Sequence, residues 1–192
     1  MMKLNLYITE KNITTLGPYT RYGIWVQGCH RNCEGCVAKQ SQDPNMGRWV
    51  DTGALSWEIA VCNVEGLTIS GGEPFLQAPA LADLIRRVKS LKDVGVILYT
   101  GFLLEEIDAL EGGRDLLSLI DLLIDGPYIR QLDDGKSLRG SSNQRVIPLT
   151  DRYTDQLHLY GSAERVTEQF VHSNNVNIVG IPNQVAPIKN YF

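Results

Sequence analysis

Three cysteines lie within eight residues of one another, and no other feature constrains this chain as strongly. They stand in the stretch Gly28-Cys29-His30-Arg31-Asn32-Cys33-Glu34-Gly35-Cys36, so their spacing is C-x3-C-x2-C. Thiolates held this close together repel one another unless a soft metal neutralises them or they are oxidised. Three thiolates on one short loop suit three corners of a cubane iron–sulfur cluster. The fourth iron would then be open and Lewis-acidic, which favours catalysis over simple electron storage.

Two other uses of the cysteines are open at this point. A structural zinc ion usually takes four protein ligands, and Cys62, His30 or His158 would be candidates for the fourth position. A disulfide scaffold is less compatible with the sequence, because four cysteines in 192 residues without a signal peptide do not resemble a small secreted domain. Cys62 stands alone in an apolar neighbourhood, which is typical of a small core residue.

The composition argues against several kinds of partner. The net charge is −4 and no basic stripe is present, so we expect no nucleic-acid partner. No apolar run approaches the roughly 20 residues that a membrane-spanning helix needs, so we expect no membrane contact. The N-terminal residues lack the apolar region of a signal peptide, and we expect a cytoplasmic protein, where thiols stay reduced.

Strands and helices are predicted to alternate from residue 22 to residue 125. Predicted strands cover 3–9, 22–27, 66–70, 94–100 and 121–125, and predicted helices cover 54–62, 80–91, 103–110 and 114–119. This alternation is typical of an α/β fold with a parallel sheet and helical crossovers. Residues 43–52 are polar and are predicted to form a loop over the cysteine region. Segments 166–172 and 175–180 are predicted to form a hairpin, followed by an extended tail.

Polar or glycine-rich residues follow each predicted strand of this sheet. The carboxyl ends of parallel strands meet at one edge, so the cysteine loop, the Gly-Gly-Glu-Pro turn at 71–74, Thr100 and Asp125 are predicted to share a pocket. The two glycines let the backbone pass close to a ligand, and Glu73 offers a fixed acceptor for a cation such as an ammonium. Thr100 and Asp125 are candidates for ligand contacts, and a role as strand-end caps is an equally good interpretation of both.

The cysteine loop resembles the signature of the radical S-adenosylmethionine (radical SAM) enzymes. The Gly-Gly-Glu-Pro turn, which begins 35 residues after Cys36, resembles a second motif of that family. The resemblance implies a partial β/α barrel carrying a [4Fe–4S] cluster, with the amino and carboxylate groups of SAM's methionine on the fourth iron. It assigns the cluster to Cys29, Cys33 and Cys36, and the methionine end of SAM to Gly71, Gly72 and Glu73.

One position departs from the wider family pattern. The residue before the last cysteine is often aromatic in radical SAM enzymes, and here it is Gly35. The adenine of SAM would therefore lie against the backbone at Gly35 and against Val37.

Two further segments narrow the resemblance. Gly17-Pro18, ahead of the cysteine strand, resembles the N-terminal stretch of the glycyl-radical-enzyme activases. The polar stretch 138–145, Leu-Arg-Gly-Ser-Ser-Asn-Gln-Arg, resembles a segment of the anaerobic ribonucleotide reductase activating proteins. The resemblance implies reductive cleavage of SAM to a 5′-deoxyadenosyl radical, installation of a glycyl radical on a partner reductase, and an external one-electron donor such as flavodoxin. Modification of a peptide or of another protein is the alternative, and a non-catalytic metal-binding module is a third hypothesis.

The C-terminal part of the chain departs from the smallest activases, which end shortly after such a polar stretch. We therefore predict a radical SAM core over residues 1–149 and a short C-terminal β extension over 150–192, packed on the core.

Overall fold

A computed structural model describes residues 2–173 and 175–183 of the chain. Seven strands form the main sheet and two more form a hairpin. The strands are β1 Lys3–Ile13, β2 Arg21–Val26, β3 Arg48–Asp51, β4 Gly66–Gly71, β5 Gly95–Tyr99, β6 Leu122–Asp125, β7 Arg145–Pro148, β8 Thr167–Val171 and β9 Val176–Gly180. The α-helices are α1 Thr52–Ala60, α2 Ala78–Leu91, α3 Leu104–Ile107 and α4 Gly113–Leu117.

The main sheet has the strand order β3-β1-β2-β4-β5-β6-β7. Its four central strands, β2, β4, β5 and β6, run parallel to one another. The flanking strands are antiparallel to their neighbours, with β1 and β3 on one side and β7 on the other. The structure is thus mixed α/β with a parallel centre, and curvature of this sheet into a partial barrel stays a prediction.

The prediction of a loop over residues 43–52 was wrong for its second half. Residues Arg48–Asp51 form the edge strand β3, which pairs with the beginning of β1, and Thr52 already begins α1. The strand is only four residues long and Trp49 is exposed, so it lacks the alternation that marks a longer half-buried strand. Its hydrogen bonds depend on β1, a partner more than 40 residues away in the sequence.

Alternate residues of the central strands point to two different apolar clusters. On β5, Val96 and Leu98 face the cluster formed with α1 and α2, whereas Ile97 faces the opposite side of the sheet. That opposite side is covered by Tyr153 and Tyr160. Both tyrosines belong to a 3-10 helix over Asp151–Tyr160, so the C-terminal segment covers one face of the sheet.

The predicted C-terminal hairpin is present as β8 and β9, paired so that Val171 faces Val176. It is attached through a third apolar cluster built on Ile13, Leu16 and Val179. Of the predicted extended tail, residues 184–192 lie outside the described residues. Within the described part of the chain, no helix is both long and apolar enough to cross a membrane.

Candidate active site

The loops that follow the parallel strands are hydrogen-bonded to one another at the carboxyl edge of the sheet. The amide of Gly72 donates to the carbonyl of Val26 at 2.8 Å, and the amide of Glu73 donates to the carbonyl of Gly28, also at 2.8 Å. The turn after β4 is therefore fastened to the beginning of the cysteine loop. The pocket predicted from the sequence lies at this edge.

The cysteine loop is closed by its own backbone. The amide of Gly28 donates to the carbonyl of Ser41 at 2.7 Å, and the amide of Cys29 donates to the carbonyl of Gln42 at 2.9 Å. The three cysteines of the loop are unoxidised and line one pocket, which also receives the Gly-Gly-Glu turn and residues from the ends of β5 and β6. The closed loop thus presents all three thiols to the same cavity.

Burial changes the acidity of two of these thiols. It is the main cause of a raised pKa for Cys29 and for Cys36. Glu73 and the neighbouring thiols raise the pKa of Cys29 further, and the thiol of Cys33 does the same for Cys36. In such a site the neutral thiol is favoured over the thiolate, because burying an unpaired charge costs free energy. A bound metal would reverse that preference, since thiolate ligands are deprotonated on binding.

The donor set of the pocket fits an iron–sulfur cluster better than a zinc ion. In the described ranges, no three His, Cys, Asp or Glu side chains are placed so that they could hold a metal ion. The three thiols would therefore have to turn toward a common centre to bind one. The described pocket-lining residues supply three cysteines but no fourth cysteine and no histidine. A closed structural zinc site needs that fourth ligand, whereas a cubane with one open iron does not.

The candidate fourth zinc ligands lie elsewhere. Cys62 is partly buried at the border of the main apolar cluster, and its thiol donates to the carbonyl of Glu58 at 3.2 Å. The ring of His30 packs against Phe102, with 5.7 Å between ring centroids. His158 is exposed on the Asp151–Tyr160 helix, where its Nδ1 contacts the carbonyl of Asp155.

Glu73 joins the ends of β4 and β5. Its Oε1 accepts from the Thr100 hydroxyl at 2.7 Å and from the Phe75 amide at 3.1 Å, while its Oε2 accepts from the Gly101 amide at 2.8 Å. Burial raises the pKa of the Glu73 carboxyl, and these three hydrogen bonds oppose that shift. The side chain lines the pocket, and Oε2 retains acceptor capacity for a ligand ammonium.

The two glycines before Glu73 are required by the approach of two backbones. Gly71 has φ +103°, a conformation that favours glycine, and a Cβ added to Gly72 would collide with the backbone of Gly28. Both glycines line the pocket. From the sequence, this backbone was predicted to pass close to a ligand. In the structure it passes close to the backbone of the cysteine loop.

Thr100 and Asp125 have partners within the protein. Thr100 is buried in the pocket wall beside Glu73, so its predicted contact with a ligand stays a prediction. The fully buried carboxylate of Asp125 accepts from the Leu104 amide at 2.8 Å and is paired with Arg145. The next residue, Gly126, lines the pocket, and Asp125 fits the interpretation as a strand-end cap.

The two residues that were predicted to contact adenine, Val37 and Gly35, differ in their surroundings. Val37 lines the pocket and is 61% exposed, so its side chain is available to a flat ligand. Gly35 has φ +74°, and a Cβ added there would lie 3.2 Å from Cδ of Arg130. Contact of adenine with either residue stays a prediction.

Arg31 is a pocket residue that the sequence reasoning missed. Its guanidinium lies over the Phe102 ring, 4.5 Å from the centroid, and 3.6 Å from the half-exposed carboxylate of Glu106. Its Nε is buried without a hydrogen-bond partner. The location of Arg31 between two cysteines was the available signal, but a single arginine in a polar loop is usually a solvated side chain.

The polar stretch 138–145 is attached to the end of β6. The Gln144 amide group donates to the carbonyl of Gly126 at 2.9 Å, and its Oε1 accepts from the Gly140 amide at 2.8 Å. Asn143 donates to the carbonyl of Pro127 at 2.8 Å. Gln144 lines the pocket, so this stretch borders the site and is more than an exposed connection.

Comparison with known proteins connects this site with a named group. A family model described as a 4Fe-4S single cluster domain matches residues 15–147. Proteins named anaerobic ribonucleoside-triphosphate reductase-activating protein are similar over about two thirds of this chain. The relative from Enterobacteria phage T4 is 31% identical over 141 residues, which cover 70% of this chain and 88% of the relative. The relative from Vibrio cholerae is 34% identical, covering 70% and 91%, and the one from Escherichia coli K12 is 32% identical, covering 68% and 89%.

Proposed function

This chain belongs to the family of anaerobic ribonucleoside-triphosphate reductase-activating proteins, and we propose that it is a radical SAM activase that installs a glycyl radical on a partner anaerobic ribonucleotide reductase. The observation that carries this proposal is one pocket that joins three free thiols to a glycine turn and a buried carboxylate. The cofactors are a [4Fe–4S] cluster and SAM.

The cofactors would be held by two loops that are fastened together. Cys29, Cys33 and Cys36 would bind three irons of the cluster, and the 71–73 turn would hold the methionine end of SAM. When bound, the reduced cluster and SAM supply a cleavage of the carbon–sulfur bond that yields methionine and a 5′-deoxyadenosyl radical, which takes a hydrogen atom from the partner.

The residues of this chain contribute position and charge. The hydrogen bond between Glu73 and Gly28 fixes the distance between the two loops, so cluster and methionine group would meet in a fixed register. The carboxylate of Glu73 is held by Thr100 and Gly101 and would face the ammonium of SAM. Arg31 is the cation among the described pocket-lining residues, and it would face the carboxylate of SAM.

The cluster would also need a source of electrons and a reducing environment. An external one-electron donor such as flavodoxin would reduce the cluster, since the chain itself offers one group of clustered cysteines. A cytoplasmic location would keep these thiols reduced until iron and sulfide are inserted.

The test is anaerobic reconstitution with iron and sulfide, followed by reduction in the presence of SAM. We expect a brown protein with four irons per chain, release of 5′-deoxyadenosine, and a glycyl radical signal in electron paramagnetic resonance when the reductase encoded by the same genome is added. Release of 5′-deoxyadenosine with a mass change in another protein, and no radical on the reductase, would favour the alternative substrate. A colourless protein that binds zinc and cleaves no SAM would refute the enzymatic proposal.

A further inference from the structure

One wall of the pocket comes from the C-terminal part of the chain. Gly180 and Ile181, at the end of β9, line the pocket together with Leu16 and Trp25 of the N-terminal part. Leu16, Trp25 and Ile181 also belong to one apolar cluster, so they form a continuous apolar wall. The matched family region ends at residue 147, so Ile181 is supplied by a segment that lies outside it.

Hydrogen bonds to the N-terminal part hold this wall in place. Glu168 on β8 accepts from the Thr14 amide at 2.9 Å and from the Thr15 hydroxyl at 2.9 Å. Val179, two residues before Ile181, is buried in the same apolar cluster. The position of Ile181 is therefore set by the fold of the hairpin against β1.

A single buried arginine connects the wall with the polar stretch that borders the pocket. The side chain of Arg165 is fully buried, donates to the carbonyl of Pro182 at 3.2 Å, and pairs with the Asp133 carboxylate at 2.8 Å. It also donates to the carbonyls of Arg139 and Gly140, at 2.7 and 3.0 Å. One guanidinium thus fixes the residue after Ile181 and the backbone that leads to Gln144.

The residues that line the pocket come from two parts of the chain, and this difference suggests what the apolar wall binds. The thiols, the glycine turn and Glu73 lie inside the region 15–147 that matches the family model, and under the proposed function they would hold the cluster and SAM. Ile181 comes from outside that region, and its apolar side chain offers neither a metal ligand nor a partner for the charged groups of SAM. The proposed function requires one further component at this pocket, a segment of the protein that is activated.

We propose that Ile181 is a specificity-determining residue that contacts the glycine-bearing segment of the partner reductase, with Arg165 as the residue that positions it. This inference rests on the proposed function, because it assumes that a protein segment enters the pocket. An apolar side chain beside the pocket would pack on the backbone and apolar side chains that flank the target glycine, where burial from water favours binding.

The experiment compares Ile181→Ala with Ile178→Ala in the cluster-loaded protein. Ile178 is on the same hairpin, is 51% exposed and does not line the pocket, so it is a matched control. The probe is the purified anaerobic reductase encoded by the same genome, and the readout is its Kd by biolayer interferometry beside the Kd of SAM by calorimetry. We expect Ile181→Ala to weaken reductase binding by about tenfold, with a clearly smaller change for SAM and no change in Ile178→Ala.

A second variant tests the positioning role. Arg165→Met should weaken reductase binding in the same direction, and Arg165→Lys should not restore it, because an ammonium cannot replace the planar fork that reaches several carbonyls. If Arg165→Met fails to fold, the pair of isoleucine variants still decides the matter.

Two results would overturn the inference: an unchanged reductase Kd in Ile181→Ala, or an equal loss of SAM and reductase binding. Failure of the proposed function has a different signature, because the unmodified protein would then load no cluster or release no 5′-deoxyadenosine. Binding of the reductase requires no cleavage of SAM, so its Kd is a readout separate from the release of 5′-deoxyadenosine.

Discussion

Replacing Glu73 by glutamine tests the connection between the two cofactor loops. The substitution keeps the size of the side chain but changes one of its two oxygens into an NH2 group, which donates and cannot accept. If the remaining oxygen keeps the Thr100 hydroxyl and the Phe75 amide, the NH2 group faces the Gly101 amide, another donor. The Gly101 amide then loses its acceptor inside a wall where Glu73 is 1% exposed.

The expected loss of stability follows from that unpaired donor. Leaving a buried donor without an acceptor costs about 1–3 kcal/mol in the free energy of unfolding. For a domain of this size, each kcal/mol lowers Tm by about 2–4 °C, so we expect a fall of about 2–12 °C. Differential scanning calorimetry of the cluster-free protein measures it without interference from the cofactors.

The matched control is Glu34→Gln. Glu34 has an exposed side chain whose described contact is a 3.2 Å ion pair with Arg130, so its neutralisation should change stability by less than about 0.5 kcal/mol. In the cluster-loaded protein, Glu73→Gln should also weaken SAM binding, because the charge that faces the ammonium is lost. A Tm equal to that of the unmodified protein would show that the Gly101 amide does not depend on Glu73.

Three further substitutions test other parts of the site. Cys33→Ala should abolish cluster loading, measured as iron and sulfide per chain, whereas Cys62→Ala should load normally; a loaded Cys33→Ala protein would remove the cluster assignment. In Gly72→Ala the added methyl group would collide with the Gly28 backbone and push the cysteine loop away. We expect a reduced iron content per chain, and full cluster loading would contradict this expectation. Arg31→Met should weaken SAM binding to the cluster-loaded protein by about 10–100-fold, the value of a charge-assisted hydrogen bond. Unchanged SAM affinity by calorimetry would mean that Arg31 only balances the charge of Glu106.

The residues at the strand ends show which features of this protein a local sequence pattern can predict. The spacing of the cysteines and the Gly-Gly-Glu-Pro turn could be identified from the sequence because each is a contiguous run whose chemistry depends on neighbouring residues. Their placement at one edge could also be predicted, because parallel strands bring their carboxyl ends together. The edge strand β3 could not, since four residues carry too little periodicity and its pairing partner is distant.

The sequence alone determined the donor set of this protein: three thiols on one loop and a glycine turn ending in an acid. Tertiary structure decided how those groups are held. It made Glu73 a link to Thr100 and Gly101, turned Arg31 into the pocket, and brought Ile181 to the wall from a segment more than 140 residues beyond the first cysteine. Such contacts depend on the packing of distant segments, and no local spacing of residues encodes them.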